Sequence, residues 1–139
     1  MRNSAKAVRI VTLAVAALIA GVVCLPFRHE LVPVEPGSVN YHYLTTWGEI
    51  ALPFVLAVLA VAGGWWLRTL GGAAWTAVAI SLPPLVLYAF LGEFRYESMG
   101  ADLWMLGTMM LSPFVLFGAM LFALAGFGLR RWTDRPRTA

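Results

Sequence analysis

A chain of 139 residues is enough for one domain, and its composition names its solvent: 60% of the residues are hydrophobic and 12% are charged, about half the charged share of an ordinary soluble domain. So much apolar surface in so short a chain excludes a water-soluble globule and predicts an integral membrane protein. The net charge of +3 comes from nine Arg and one Lys against seven acids. These charges form no basic stripe interleaved with aromatics, so no nucleic-acid partner is expected, and the single Cys24 excludes an intrachain disulfide, a CxxC redox pair or a thiolate metal cluster.

The first apolar segment runs over residues 10–27. It follows a basic tail, residues 1–9, holding Arg2, Lys6 and Arg9. Basic, then apolar, then small residues near Ala17 to Gly21 is also the order of a signal peptide. The residues before Cys24 lack the small side chain of a lipoprotein cleavage site, and the expectation is an uncleaved anchor. Ala16-x-x-x-Ala20 and Ala17-x-x-x-Gly21 supply small-residue spacings for helix packing.

Residues 28–46 form the longest polar interruption. Leu31 to Val34 and Val39 to Tyr43 flank Glu35-Pro36-Gly37-Ser38, which suits a type II turn. Val39, Tyr41 and Tyr43 alternate as one face of a strand would, and Pro33 confines the first strand to an edge. A short β-hairpin over the outer face is expected, with Tyr41, His42 and Tyr43 as candidate partner-docking residues. His29 and His42 are thirteen residues apart, a spacing with no diagnostic value for metal; they are read as solvated loop histidines.

The second segment, residues 47–67, opens on Thr46-Trp47-Gly48-Glu49, the pattern of a capping box. Glu49 is the most tempting single functional residue, since an acid near an apolar span can carry a proton or cation. Its position three residues after Thr46 favours a cap. Ala60-x-x-x-Gly64 adds another small-residue spacing.

A turn with Arg68 leads to the third segment, residues 73–91, whose Pro83 and Pro84 weaken the expectation of a helix. Residues 92–102 form a second, acidic outer loop, and Asp102 is placed to cap the fourth segment. That segment, residues 103–129, carries Met105, Met109, Met110 and Met120, with Met99 just before it, and Ala119-x-x-x-Ala123. A methionine group suits soft copper, but methionine is also a flexible packing residue, and packing is the reading adopted. The tail, residues 130–139, holds Arg130, Arg131, Arg135 and Arg137.

Each segment reaches the ~17–25 residues needed to cross the hydrocarbon core as a helix, and helices are required because lipid leaves bare backbone groups unpaired. Placing both tails in the cytoplasm puts eight of the ten basic residues inside, as the positive-inside rule demands. All six Trp fall near a span end, where amphipathic rings settle. The expected architecture is an all-α integral membrane protein: a four-transmembrane-helix up-down bundle in the bacterial cytoplasmic membrane. Pro53, Pro83, Pro84 and Pro113 each remove a helix hydrogen bond, freeing the carbonyls of Glu49, Ala79, Ile80 and Met109. They are candidate hinge positions, with Ser81 and Ser112 placed to re-satisfy backbone groups.

No catalytic signature, cofactor motif or metal-ligand spacing is present, and no charged residue lies near the middle of a span. Small multidrug transporters share the length and span number but carry an acid deep in the first span. Small fluoride channels carry Gly-Asn and Thr/Ser-Phe patterns missing here, and claudin-like proteins a Trp and paired-Cys signature that is likewise missing. The expectation is a non-catalytic accessory or assembly subunit whose partners are the bilayer and other membrane subunits or copies of itself. The alternative is a small homo-oligomeric channel or transporter with proline-broken helices lining its path.

Overall fold

A computed structural model describes residues 2–25, 31–33, 36, 41–43, 46–95 and 102–134, with side chains placed for 4–25, 36, 46–91 and 107–134. Four helices carry the fold: α1 (Arg2–Cys24), α2 (Trp47–Leu67), α3 (Leu70–Arg95) and α4 (Asp102–Thr133). All four are long and apolar enough to cross a membrane, with mean hydropathies of 2.4, 2.1, 1.7 and 2.0 over their candidate spans.

The helices overrun the apolar segments at several ends, because intrahelical hydrogen bonding does not require apolar side chains. α1 is an exception: it stops at Cys24 rather than 27. Pro26 has no N–H and disfavours helical backbone at Leu25, so the last bond is Leu25 N–H to the Gly21 carbonyl, 2.9 Å. α3 runs unbroken through Pro83 and Pro84. Between α2 and α3 the connection is two residues. Arg68 adopts a left-handed conformation, φ 57°, ending α2, and the Thr69 hydroxyl accepts the Gly72 N–H at 2.9 Å to start α3.

Two three-residue strands, β1 (Leu31–Pro33) and β2 (Tyr41–Tyr43), pair antiparallel with Leu31 opposite Tyr43 and Pro33 opposite Tyr41. Val34 and Val39, the other ends of the expected strands, lie outside the described residues. The strands contact each other and, among the described residues, no helix.

α2 and α3 form the centre. α1 packs against both from one side and α4 against both from the other, while α1 and α4 do not meet among the described residues. The buried residues include Leu13, Ala17, Leu25, Ala60, Leu67, Ala73, Ala77, Ala79, Ile80, Leu91, Ala119 and Ala123, with Thr76, Ser81 and Thr108. Most are small, and many large apolar side chains point outward, among them Val15, Phe54, Val58, Val86, Phe90, Phe117 and Leu121. Small inside and large outside is the reverse of a water-soluble core, and it lets helix backbones approach closely.

Two ends can be told apart. At the hairpin end, α1 stops where α2 starts: a Cβ on Gly48 would meet the Cys24 carbonyl. At the opposite end, Arg9 Nη1 donates to the Trp66 carbonyl at 3.0 Å and its guanidinium lies 5.3 Å from the Trp66 ring centre. Arg130 lies 5.2 Å from the Trp65 ring centre and pairs with Asp134 at 2.9 Å. Trp66 C=O is one of the last carbonyls of α2, which have no helical partner. Arginine is suited to that position and to an aromatic face.

Candidate functional site: a cavity between three helices

Towards this arginine–tryptophan end, α2 and α4 touch at the backbone. A Cβ on Gly64 would strike the Ala123 carbonyl, and one on Gly126 would strike the Val61 carbonyl. On another face of α2, Gly63 packs on side chains of α3 and α1, with the Thr76 Cγ2 2.5 Å from where its Cβ would be. Towards the hairpin end the same helices carry Leu52, Leu56, Phe114 and Phe122 instead, and a space opens between them. This cavity has a volume of about 700 Å³ and is walled by α2, α3 and α4, with Leu25 at its rim. That is within the range of pockets that hold small organic ligands.

α2 contributes Glu49, Leu52, Pro53 and Leu56; α3 contributes Ser81, Pro84, Leu85 and Tyr88; α4 contributes Leu111, Phe114, Val115, Gly118 and Phe122. The α3 set follows the helix period, so one stripe faces the space. Gly118 widens it, since a Cβ there would meet nothing within 4 Å.

Ser81 differs from the other described hydroxyls. Thr12 donates to the Val8 carbonyl at 2.9 Å, Thr76 to Gly72 at 2.9 Å, and Ser112 to Met109 at 3.0 Å. Ser112 therefore re-satisfies the carbonyl that Pro113 frees. Ser81 is 1% exposed and its Oγ has no hydrogen-bond partner. Pro84, one turn on, lacks the N–H that would bond the Ile80 carbonyl. An unpaired hydroxyl in an apolar wall costs roughly 1–3 kcal/mol.

Glu49 forms the cap its spacing suggests. Its N–H donates to the Thr46 Oγ at 3.3 Å, and its carboxylate accepts the Thr46 N–H at 2.8 Å. It sits in the cavity wall near the start of α2 with its carboxylate engaged. Of the candidate hinge residues, Pro53 and Pro84 line the cavity. Pro83 is half-buried behind it, and Pro113 is exposed and outside the lining. Tyr41, His42 and Tyr43 make up β2; their side chains, with His29, Met99 and Met105, lie outside those described, as does that of Asp102, the first residue of α4. Met109 is 65% exposed. Ser81 as a site residue, Tyr88 and Gly118 escape a reading of the sequence. The signal for Ser81 was its place beside a proline pair; Tyr88 and Gly118 carry none, because only the splaying of α4 brings them together.

Chemically the cavity offers an apolar volume and aromatic side chains, with the Ser81 hydroxyl buried beneath its wall. Among its described lining residues the ionisable groups are Glu49 and Tyr88, both already engaged in contacts within the protein. In comparisons with known proteins, the chain matches no family model, no curated protein and no solved structure.

Proposed function

We propose that this chain is a non-catalytic accessory subunit of a larger membrane complex. It sits in a bacterial cytoplasmic membrane as an up-down bundle, both tails on the cytoplasmic side. The topology rests on the arginine distribution, with Arg9 and Arg130 gathered at one end of the helices beside Trp65 and Trp66.

The observation that carries the subunit reading is an incompletely covered row along α4, whose middle residues Leu111, Phe114 and Gly118 also line the cavity. Gly107, Leu111, Phe114, Gly118, Leu121, Ala125 and Gly128 recur in alternating steps of four and three residues. That is the repeat of a left-handed helix–helix seam. Each of the seven is exposed or half-exposed, and a Cβ on Gly107, Gly118 or Gly128 would meet nothing within 4 Å. Glycines that no neighbour among the described residues requires, set in line with Leu and Phe, suit the close approach of a partner's transmembrane helix. The test is purification in mild detergent without crosslinking. A stoichiometric foreign subunit that is lost in Gly128→Trp supports the reading; a clean homo-oligomer that carries flux in liposomes sinks it.

A second reading, a small homo-oligomeric channel or transporter, draws on Pro53 and Pro84 in the cavity wall. Against a path through one bundle stand the backbone contacts at Gly64 and Gly126, which leave no space between α2 and α4 beyond the cavity.

A further inference from the structure

Arg68 occupies a place where the backbone favours another residue. It ends α2 at φ 57° and is the non-glycine residue with a positive φ among those described. Helices that end this way commonly do so on glycine, which takes the left-handed conformation without the penalty a Cβ brings. Within the chain nothing offsets that penalty. The side chain is exposed, and among the described residues it makes no hydrogen bond, ion pair or ring contact. A strained arginine without an internal partner points to a partner outside the chain.

The surroundings fix the sign of that partner. Arg9 reaches the same turn from α1, donating from Nη1 to the Trp66 carbonyl two residues before Arg68, at 3.0 Å. Its other N–H groups make no hydrogen bond among the described residues. Lys6 on α1 and Arg131 on α4 are exposed and have no acid partner among the described residues. Asp134 is the acid described at this end, and Arg130 already holds it at 2.9 Å. α1 and α3 both begin here, with no acid in their first turns. The end is cationic, and the described chain does not neutralise it. Trp66 and Trp75 are exposed beside it, and tryptophan settles at the depth of lipid headgroups. What lies at that depth is phosphate, which a guanidinium grips through paired N–H donors. A zwitterionic headgroup carries an ammonium beside its phosphate, which this end repels; a headgroup of net negative charge carries none.

We propose that the arginine–tryptophan end binds the headgroup of an anionic phospholipid, of the phosphatidylglycerol class, with Arg68 and Arg9 pairing its phosphate. This rests on the membrane placement of the bundle and not on the subunit reading, since docking uses the α4 row and lipid binding uses the last turn of α2.

The test counts lipid bound to the full chain in mild detergent by native mass spectrometry. The probes are dioleoylphosphatidylglycerol, dioleoylphosphatidylcholine with the same tails, and glycerol 3-phosphate as a phosphate without tails. Saturable binding of phosphatidylglycerol is expected, favoured over phosphatidylcholine by roughly tenfold or more, since one basic residue at an anionic surface contributes about fivefold. Glycerol 3-phosphate should not compete. Arg68→Gly removes the charge and suits the left-handed backbone, so its unfolding midpoint should hold or rise. Its phosphatidylglycerol affinity should fall about fivefold, with phosphatidylcholine unchanged. Arg68→Lys keeps the charge and should keep most of the preference. Arg95→Gln removes one charge from the last residue of α3, at the hairpin end, and should leave the preference intact. Four results each overturn the proposal: equal affinity for the two lipids in the native chain, competition by glycerol 3-phosphate (a free-phosphate site), a preference that survives Arg68→Gly, or an equal loss in Arg68→Gly and Arg95→Gln (net charge acting at no particular place). Foreign subunits appear in the same spectra, so the subunit reading and the lipid site stand or fall separately.

Discussion

The two halves of α4 are built from similar residues and do opposite things. Near the arginine–tryptophan end, Ala123 and Gly126 press their helix against the backbone of α2 at Gly64 and Val61. Near the hairpin end, Gly118 faces open space, and Phe114 and Leu111 stand off from α2 and α3 around a cavity of about 700 Å³. The lesson is that glycine does not by itself bring membrane helices together. It permits approach, and whether approach happens depends on what the facing helix presents. Opposite Ala123 and Gly126, α2 presents Gly64 and the backbone of Val61; opposite the cavity it presents Leu52, Pro53 and Leu56. Bulk on one helix and prolines on two keep that half apart. The arginines at the closed end add to the asymmetry, since Arg9 and Arg130 tie α1 and α4 to the last turn of α2.

The hardest way to break this contrast is to put bulk into the closed half. Gly126→Leu drives a side chain into the Val61 carbonyl, and backbone cannot move aside as a flexible side chain would. We expect a loss of about 3 kcal/mol or more in reversible unfolding from detergent micelles, with Gly64→Leu as severe. An unchanged midpoint in both variants would remove the basis for calling that half closed. A milder break is Thr46→Ala, which deletes the cap at the hairpin end while the cavity wall stays in place. The expected cost is about 1 kcal/mol, and Glu49→Gln, which keeps an acceptor for the Thr46 N–H, should lose less. Milder again is Arg130→Gln, which gives up a ring contact with Trp65 and a partly exposed ion pair; about 0.5–1 kcal/mol is expected.

The four helices were legible because length and apolarity alone require them, and Thr46 with Glu49 was legible because a capping box is local. The third helix was expected over residues 73–91, with Pro83 and Pro84 weakening the expectation; it runs from Leu70 to Arg95 at the centre of the bundle, where α3 contacts all three other helices. The spacing Ala119-x-x-x-Ala123 pointed to a contact, and both residues are buried. The row from Gly107 to Gly128 carries no local signal, since its meaning depends on what α2 and α3 leave uncovered, and Leu111, Phe114 and Gly118 within it line the cavity. Helix order was not legible either. Short connections make neighbours in sequence neighbours in space, but they do not fix that α4 reaches past α3 to pack on α2 as well. The cavity follows from that placement; Ser81, whose proximity to the proline pair suggested repair of the backbone, makes no such bond.

The smallest expected effect is the sharpest comparison. Gly118 and Gly126 lie on one helix, eight residues apart, and the same change at each should give results of opposite sign. Gly118→Leu places its Cβ where nothing lies within 4 Å, so no overlap opposes it. Leucine is the better helix former by somewhat under 1 kcal/mol, and its side chain covers apolar wall left bare by the cavity. We expect unfolding in detergent to show Gly118→Leu unchanged or more stable by about 0.5 kcal/mol, against the large loss at Gly126. If both variants fall by similar amounts, the hairpin half is as tightly packed as the other and the cavity closes in the folded protein.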